Sequence, residues 1–352
     1  MSRKRVLVVG GTGYLGQHLL QAFSHGATPP APSEHQYDVA FTYHSNPPPQ
    51  PLLHAVPDSL AFSVDLRTGH GLDAISHAFG QVLSTYSIFM VQPAIRTPHV
   101  VINCAALSIP RACEMDPTAA LSINVPSALI SCRRFINIDV NAISVYEGTK
   151  SFYKEDDETL AVNVYGKTKV AAEQFISVNY PNFTILRSSI IFGPQTVSPV
   201  PKSLPIQWID SVLAKGNKVD FFHDEFRCPV YVKDVVNIIW RLTNSWISGY
   251  ERFLKAPKNS SRRIPGVKCR RKNDSKQMQM QMLLNVGGPD RISRVQMAEA
   301  VAYYKGYNTS LIKSVSASSV RVDRGVKSPA DISMDITKLI QTLDFSPTTF
   351  AD

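Results

Sequence analysis

Residues 3–16 read RKRVLVVGGTGYLG. Val6, Leu7, Val8 and Val9 form a short aliphatic run that stops abruptly at glycine, the pattern of a strand buried on both faces. Gly11, Gly13 and Gly16 fit G-x-G-x-x-G, and Gly10, Gly13 and Gly16 fit the looser G-x-x-G-x-x-G. Beyond the turn, Leu15, Leu19, Leu20 and Phe23 fall on one helical face. Strand, glycine turn and helix together give this spacing a mechanism. The glycines allow a tight turn and a close backbone approach to a pyrophosphate, and the helix start presents free N–H groups and a positive dipole end. Gly10, Gly13, Tyr14, Leu15 and Gly16 are therefore candidate dinucleotide-binding residues.

Working outward, strands and helices alternate. Residues 37–43 read as a second strand ending in Thr42-Tyr43-His44-Ser45. An acid at this end would bind a ribose 2′-hydroxyl and select NAD. None is present, since Asp38 starts the strand, so a 2′-phosphate has room beside His44 and Ser45 and NADP(H) is expected, with NAD(H) the alternative. Residues 61–66 read as a third strand with Asp65 at its end, and 71–79 as a helix. Residues 100–106 form a fourth strand closing in the small residues Cys104, Ala105 and Ala106, across which a cofactor can lie. A helix over 117–124, a fifth strand within 133–143, a helix over 164–178 and a sixth strand over 183–192 follow. From 199 the pattern loosens, with helices expected at 232–242 and 293–304 and a short strand at 284–287. Residues 24–36 and 47–51 read as Pro-rich loops. This alternation predicts an α/β fold with a doubly wound parallel sheet.

Composition is that of an ordinary globular protein, 44% hydrophobic and 18% charged. No run is long enough to span a membrane, and the four apolar residues after Arg5 are too few for a signal peptide. The five cysteines are odd in number and hold no C-x-x-C pair. That argues against a disulfide framework or a metal site, and for a reducing, cytoplasmic setting. The net charge is +9, but residues 255–282 carry nine Lys/Arg against one Asp, so +8 of it lies in that block. The block holds no aromatic residue for base stacking, so a solvated loop is favoured over a nucleic-acid surface.

Tyr165-Gly-Lys-Thr-Lys169 places a phenol and an ammonium one helical turn apart. Such a pair is commonly a surface contact. Downstream of a dinucleotide turn it gains a second reading: the cation favours phenolate, so the tyrosine can exchange a proton near neutral pH, and the ammonium can hold ribose hydroxyls.

GGTGYLG, VINCAA, DPTAALSIN, VYEGTKSFYKEDDE, NVYGKTKVAAE, ILRSSIIFGP, FRCPVYVKDVV and SPADISMDITKL together resemble the extended short-chain dehydrogenase/reductase family. The resemblance is strongest to its dTDP-4-dehydrorhamnose reductases and to the regulatory β subunits of methionine adenosyltransferase. It implies an NAD(P)-binding Rossmann domain over residues 1–192, with an insertion at 82–96. It also implies a small C-terminal substrate-binding domain over 193–352, from which 231–250 and 284–291 return to the first. Residues 256–282 are expected to be a basic, disordered insertion. Tyr165 becomes the proton donor and Lys169 its partner. Asp65, Leu66, Asn124 and Arg187 join the cofactor side, and Arg227 the substrate side. The Ser or Thr that this family places before VYEG falls on Asn141 or Ala142 here, with Ser144 the replacement on the same strand face about 7 Å along. Two main readings follow: a cofactor-binding regulatory subunit, partnered by a methionine adenosyltransferase catalytic subunit, or an NADPH-dependent reductase of a 4-keto nucleotide sugar. Nucleic-acid binding through the basic block is a weaker third.

Overall fold

The computed structural model describes residues 3–24, 36–81, 98–129, 134–140, 145–200, 204–255, 280–319 and 325–351. Strand β1 (Lys4–Val9) passes through the glycine turn into α1 (Tyr14–Ser24). Next come β2 (Tyr37–Tyr43), α2 (Gln50–Ala55), β3 (Leu60–Ser63), α3 (Leu72–Gln81), β4 (Val100–Asn103), α4 (Pro110–Met115), α5 (Pro117–Asn124) and β5 (Phe135–Val140). After these run α6 (Val164–Asn179), β6 (Phe183–Ser188), β7 (Ile191–Phe192), α7 (Pro205–Ala214), β8 (Val219–Phe222), β9 (Phe226–Arg227) and β10 (Val230–Tyr231). The chain closes with α8 (Val232–Lys255), β11 (Gln281–Val286), β12 (Ile292–Ser293), α9 (Arg294–Lys305), β13 (Ile312–Val315) and α10 (Thr337–Leu343).

Seven of these strands build one parallel sheet in the order β11-β6-β5-β4-β1-β2-β3. Side-chain alternation explains why it is covered on both faces. In β1, Val6 and Val8 enter one core with Leu15, Leu19 and Leu20 of α1 and Val235, Ile238 and Ile239 of α8. Leu7 and Val9 enter the other, with Ile75 of α3 and Ile176 of α6. Winding reverses between β1 and β4, so a crevice opens at their C-terminal ends, where ligands of such sheets bind. A smaller cluster joins Ile209 and Leu213 of α7, Phe221 of β8 and Val295, Met297, Ala298 and Val301 of α9. There β8 pairs with β13 in parallel.

Several local readings are corrected. The expected Pro-rich loop over 47–51 runs into α2, whose N-cap is Pro49 and whose first turn holds Pro51. Proline is tolerated there because the missing N–H has no partner in a first turn anyway. The third strand stops at Ser63, so Asp65 and Leu66 lie in the turn after it. The sixth strand breaks at Ser189-Ile190 into β6 and β7, because β7 turns to pair with β10. Helix α8 runs to Lys255, well past the expected end at 242. The expected disordered insertion ends before residue 282: Met280 N–H donates to Asn182 Oδ1 at 3.0 Å, and Gln281 and Met282 open β11 on the sheet edge. Residues 82–96, 256–279, Asn141, Ala142 and Ser144 lie outside the described residues.

Candidate functional site

The glycine turn is held by its neighbours in the sheet. Gly10 has φ +81°, a conformation that favours glycine. Its N–H donates to Thr42 Oγ1 at 3.1 Å, and Gly11 N–H donates to Thr42 O at 2.9 Å. A Cβ on Gly10 would lie 2.9 Å from Ala105 Cα, so the segment after β4 rests directly on the turn. A Cβ on Gly16 would sit on Gly10 O and 2.8 Å from Gly11 Cα, which is the close helix–strand packing that needs glycine. Gly13 differs. It is exposed, and an added Cβ would meet only Gly10 O, at 3.2 Å. Space therefore remains in front of Gly13, beside the first turn of α1, and a pyrophosphate fits there with backbone N–H groups to receive it.

The neighbouring strand ends complete the crevice floor. His44 and Ser45 are exposed just beyond β2, while Asp38 sits at the far end of that strand and pairs with Arg3 at 2.6 Å. Asp65 is gripped by Arg67, Nε to Oδ1 at 3.1 Å and Nη2 to Oδ2 at 3.2 Å. This pairing holds its carboxyl below the usual carboxylate range. Leu66 is half-buried beside it. Cys104 N–H donates to Val9 O at 3.0 Å, and burial pushes its thiol up to about 12, so it is an inert wall. Ala106 is half-buried in the same segment.

Helix α6 is set by Asn163, whose Oδ1 caps Gly166 N–H at 2.8 Å. Tyr165 is 0% exposed, within a cluster of Cys113, Ala120, Leu107 and Val164, and Lys169 is 2% exposed. Lys169 Nζ lies 5.5 Å from the Tyr165 ring centre, so the pair predicted from spacing is present and is not a surface contact. Asn124 is placed against this helix, not open to the crevice. Its Oδ1 accepts Leu107 N–H at 2.8 Å and its Nδ2 donates to Thr168 Oγ1 at 2.8 Å. The amide thus ties α6 to the segment after β4.

Two expected ligand contacts are turned inward. Arg187 grips Glu173, Nε to Oε1 at 2.8 Å and Nη2 to Oε2 at 2.7 Å, and its Nη1 donates to the Tyr146 hydroxyl at 2.6 Å. Burial alone would lower its pKa, but the Glu173 carboxylate outweighs that and the net shift is upward. All three guanidinium nitrogens therefore act within the protein, because β6 faces α6 there. Arg227 donates to Phe226 O, Ala330 O and Pro329 O at 2.7, 3.0 and 3.0 Å, and to Ser328 Oγ at 3.3 Å. It staples residues 328–330 to the end of β9. Glu173, Tyr146 and Thr42 lie within stretches quoted from the sequence but were given no role there. Glu173 was findable, since it continues the Tyr165–Lys169 face one turn on. A surface pocket of about 530 Å³ on the outer side of α6 touches Glu147, Leu160, Val162, Lys167, Val170 and Gln174, and includes none of the expected site residues.

The reversed parallel sheet and the glycine turn at its switch point define a Rossmann-type fold, with a buried Tyr–Lys pair on the helix beside it. Residues 84–254 match the RmlD substrate binding domain. Over 156 residues the chain is 30% identical to the probable low-salt glycan biosynthesis reductase Agl14 of Haloferax volcanii, covering 43% of this chain and 52% of that protein. Over 151 residues it is 30% identical to methionine adenosyltransferase 2 subunit beta of Xenopus tropicalis, covering 42% and 45%. The chain thus aligns with about half the length of these relatives. Among solved structures it resembles dTDP-4-dehydrorhamnose reductase from Bacillus anthracis in complex with NADP, with a TM-score of 0.67, 16% identity and coverage of 99% and 96%. It resembles UDP-glucose 4-epimerase from Thermotoga maritima with UDP-glucose to a similar degree, with a TM-score of 0.67, 16% identity and coverage of 98% and 94%. Residues 84–254 are thus similar to an RmlD-type substrate binding domain, and the fold is Rossmann-like, as in these NADP- and nucleotide-sugar-bound structures. No helix among the described residues is long and apolar enough to cross a membrane.

Proposed function

We propose that the chain is an NADP(H)-binding, dTDP-4-dehydrorhamnose reductase-like protein that acts as a regulatory subunit of the methionine adenosyltransferase type. In this reading residues 1–192, with 231–250 and 284–291, form the dinucleotide-binding unit, and the remainder of 193–352 is the substrate-side unit. Gly10, Gly13, Tyr14, Leu15 and Gly16 receive the pyrophosphate, and His44 and Ser45 face the 2′-phosphate. Asp65, Leu66 and Cys104 to Ala106 line the adenine side, and Lys169 holds ribose hydroxyls. Bound NADPH would supply a hydride. The observation that carries the regulatory reading is Arg227: its buried guanidinium is taken up by the carbonyls of Pro329 and Ala330 and is not left free for a substrate. The buried Tyr165–Lys169 pair favours the second reading, reduction of a 4-keto nucleotide sugar with Tyr165 donating the proton. Purified protein should bind NADPH, leave it unoxidised when offered a dTDP-4-keto-6-deoxy sugar, and change the rate of S-adenosylmethionine synthesis when added to a methionine adenosyltransferase catalytic subunit. Robust sugar-dependent NADPH oxidation overturns the regulatory reading in favour of the reductase.

NADPH should bind more tightly than NADH in a fluorescence titration, because no acid follows β2 and the nearby Asp65 charge is countered by Arg67. Equal affinities, or a preference for NADH, reject the assignment of His44 and Ser45 to a 2′-phosphate.

A further inference from the structure

Gln17 lies on α1, one turn past Gly13, and is 2% exposed. Its carboxamide faces two ways. Nε2 donates back to Thr12 O in the glycine turn at 3.1 Å, and across to Ser198 O at 2.9 Å. Oε1 accepts the Ser198 N–H at 3.0 Å. Both backbone groups of Ser198 are therefore held by one side chain. Thr196 Oγ1 also donates to Ser198 O, at 2.6 Å, and Tyr14 Oη donates to Pro194 O at 2.9 Å. Residues 194–198 thus lie along α1, anchored at Tyr14 and Gln17, which are three residues apart on one helical face. Thr196 and Ser198 are buried there. The chain enters this segment at Gly193, with φ +147°, where a Cβ would fall 2.6 Å from Val232 Cγ1 of α8. The segment follows β7 and precedes α7 of the smaller cluster.

We propose that Gln17 is a positioning residue that couples occupancy of the dinucleotide crevice to residues 194–198. The proposal rests on the cofactor-binding reading, in which a pyrophosphate sits in front of Gly13. A pyrophosphate closing on the turn fixes the Thr12–Gly13 peptide. Thr12 O then holds the Gln17 carboxamide in one orientation, and the carboxamide holds Ser198. Nε2 has two hydrogens and both are used, so a carboxamide that swings away from Thr12 O strands a buried N–H and misaligns its bonds to Ser198. Coupling of this kind is reciprocal, so a firmly held segment also favours the occupied crevice. Occupancy is thereby carried to the stretch of chain that joins the sheet to α7.

Backbone hydrogen exchange over 195–198, read by mass spectrometry on the full chain, tests this. The probe is 2′-phospho-ADP-ribose. It keeps the pyrophosphate of NADPH and lacks the nicotinamide, so no nicotinamide contact can protect the segment directly. In wild type, saturating probe should slow exchange over 195–198 by about fivefold or more, the lower end of coupling between two sites. In Gln17→Met, exchange there should be fast with and without saturating probe, while the probe still protects residues 10–16. An amide with a structural role alone would speed exchange in the free variant yet leave the probe's effect intact, and that result overturns the proposal. So does a wild type that binds the probe with no change over 195–198, which leaves the cofactor reading standing. A wild type that binds neither the probe nor NADPH sinks both. Should Gln17→Met fail to fold, Gln17→Glu keeps the shape and the acceptor for Ser198 N–H and removes the donor to Thr12 O. It should leave 195–198 unresponsive to the probe, and a wild-type response in that variant overturns the proposal.

Discussion

Gly13→Val should abolish detectable NADPH binding in a protein that still folds, whereas Gly16→Val should fail to fold. The two glycines are three residues apart in one motif, yet their surroundings differ. A side chain on Gly13 meets only Gly10 O at 3.2 Å and otherwise projects into the space where a pyrophosphate would sit. The fold should tolerate it, with stability changed by less than about 1 kcal/mol, as for exposed positions without special contacts. A side chain on Gly16 collides with Gly10 O and Gly11 Cα and forces α1 away from β1, an overpacking cost of about 3 kcal/mol or more. Thermal unfolding and NADPH titration on both variants separate the two effects. Wild-type affinity in folded Gly13→Val would place the cofactor elsewhere.

Glu173→Gln should lower unfolding free energy by about 3–5 kcal/mol, the usual cost of leaving one member of a buried ion pair without its partner. Replacing both members, Glu173→Leu with Arg187→Met, should recover most of that loss, since an apolar pair of similar volume needs no desolvated charge. Urea denaturation midpoints at pH 7 report both. A single replacement that costs nothing would show that Arg187 finds another anion on this face.

The central sheet was legible in the sequence because its signal is local. Val6 to Val9 and Val100 to Ile102 are apolar on both faces, Phe183 to Ser188 is buried throughout, and each is followed by small or turn residues. Tyr165 and Lys169 were legible for the same reason, since helical spacing alone brings them together. What stayed hidden depended on contacts between distant segments. Arg187 and Arg227 look like ligand-binding cations in a linear reading. Their partners, Glu173 at a separation of 14 residues and Pro329 at 102, are supplied by the fold. Asn124 was read as facing the cofactor, but the segment around Leu107 and the hydroxyl of Thr168 take up its amide. Helix α2 was missed because Pro49 and Pro51 signal a loop unless one knows that a helix begins there.

The parallel sheet also gives the molecule two ends with different business. The glycine turn, His44, Asp65 and Cys104 all lie where strands finish. Met280 lies where strands start: its carbonyl accepts the Phe183 N–H at 2.9 Å, at the first residue of β6. The entry to β11 thus lies at the end of the sheet opposite the crevice.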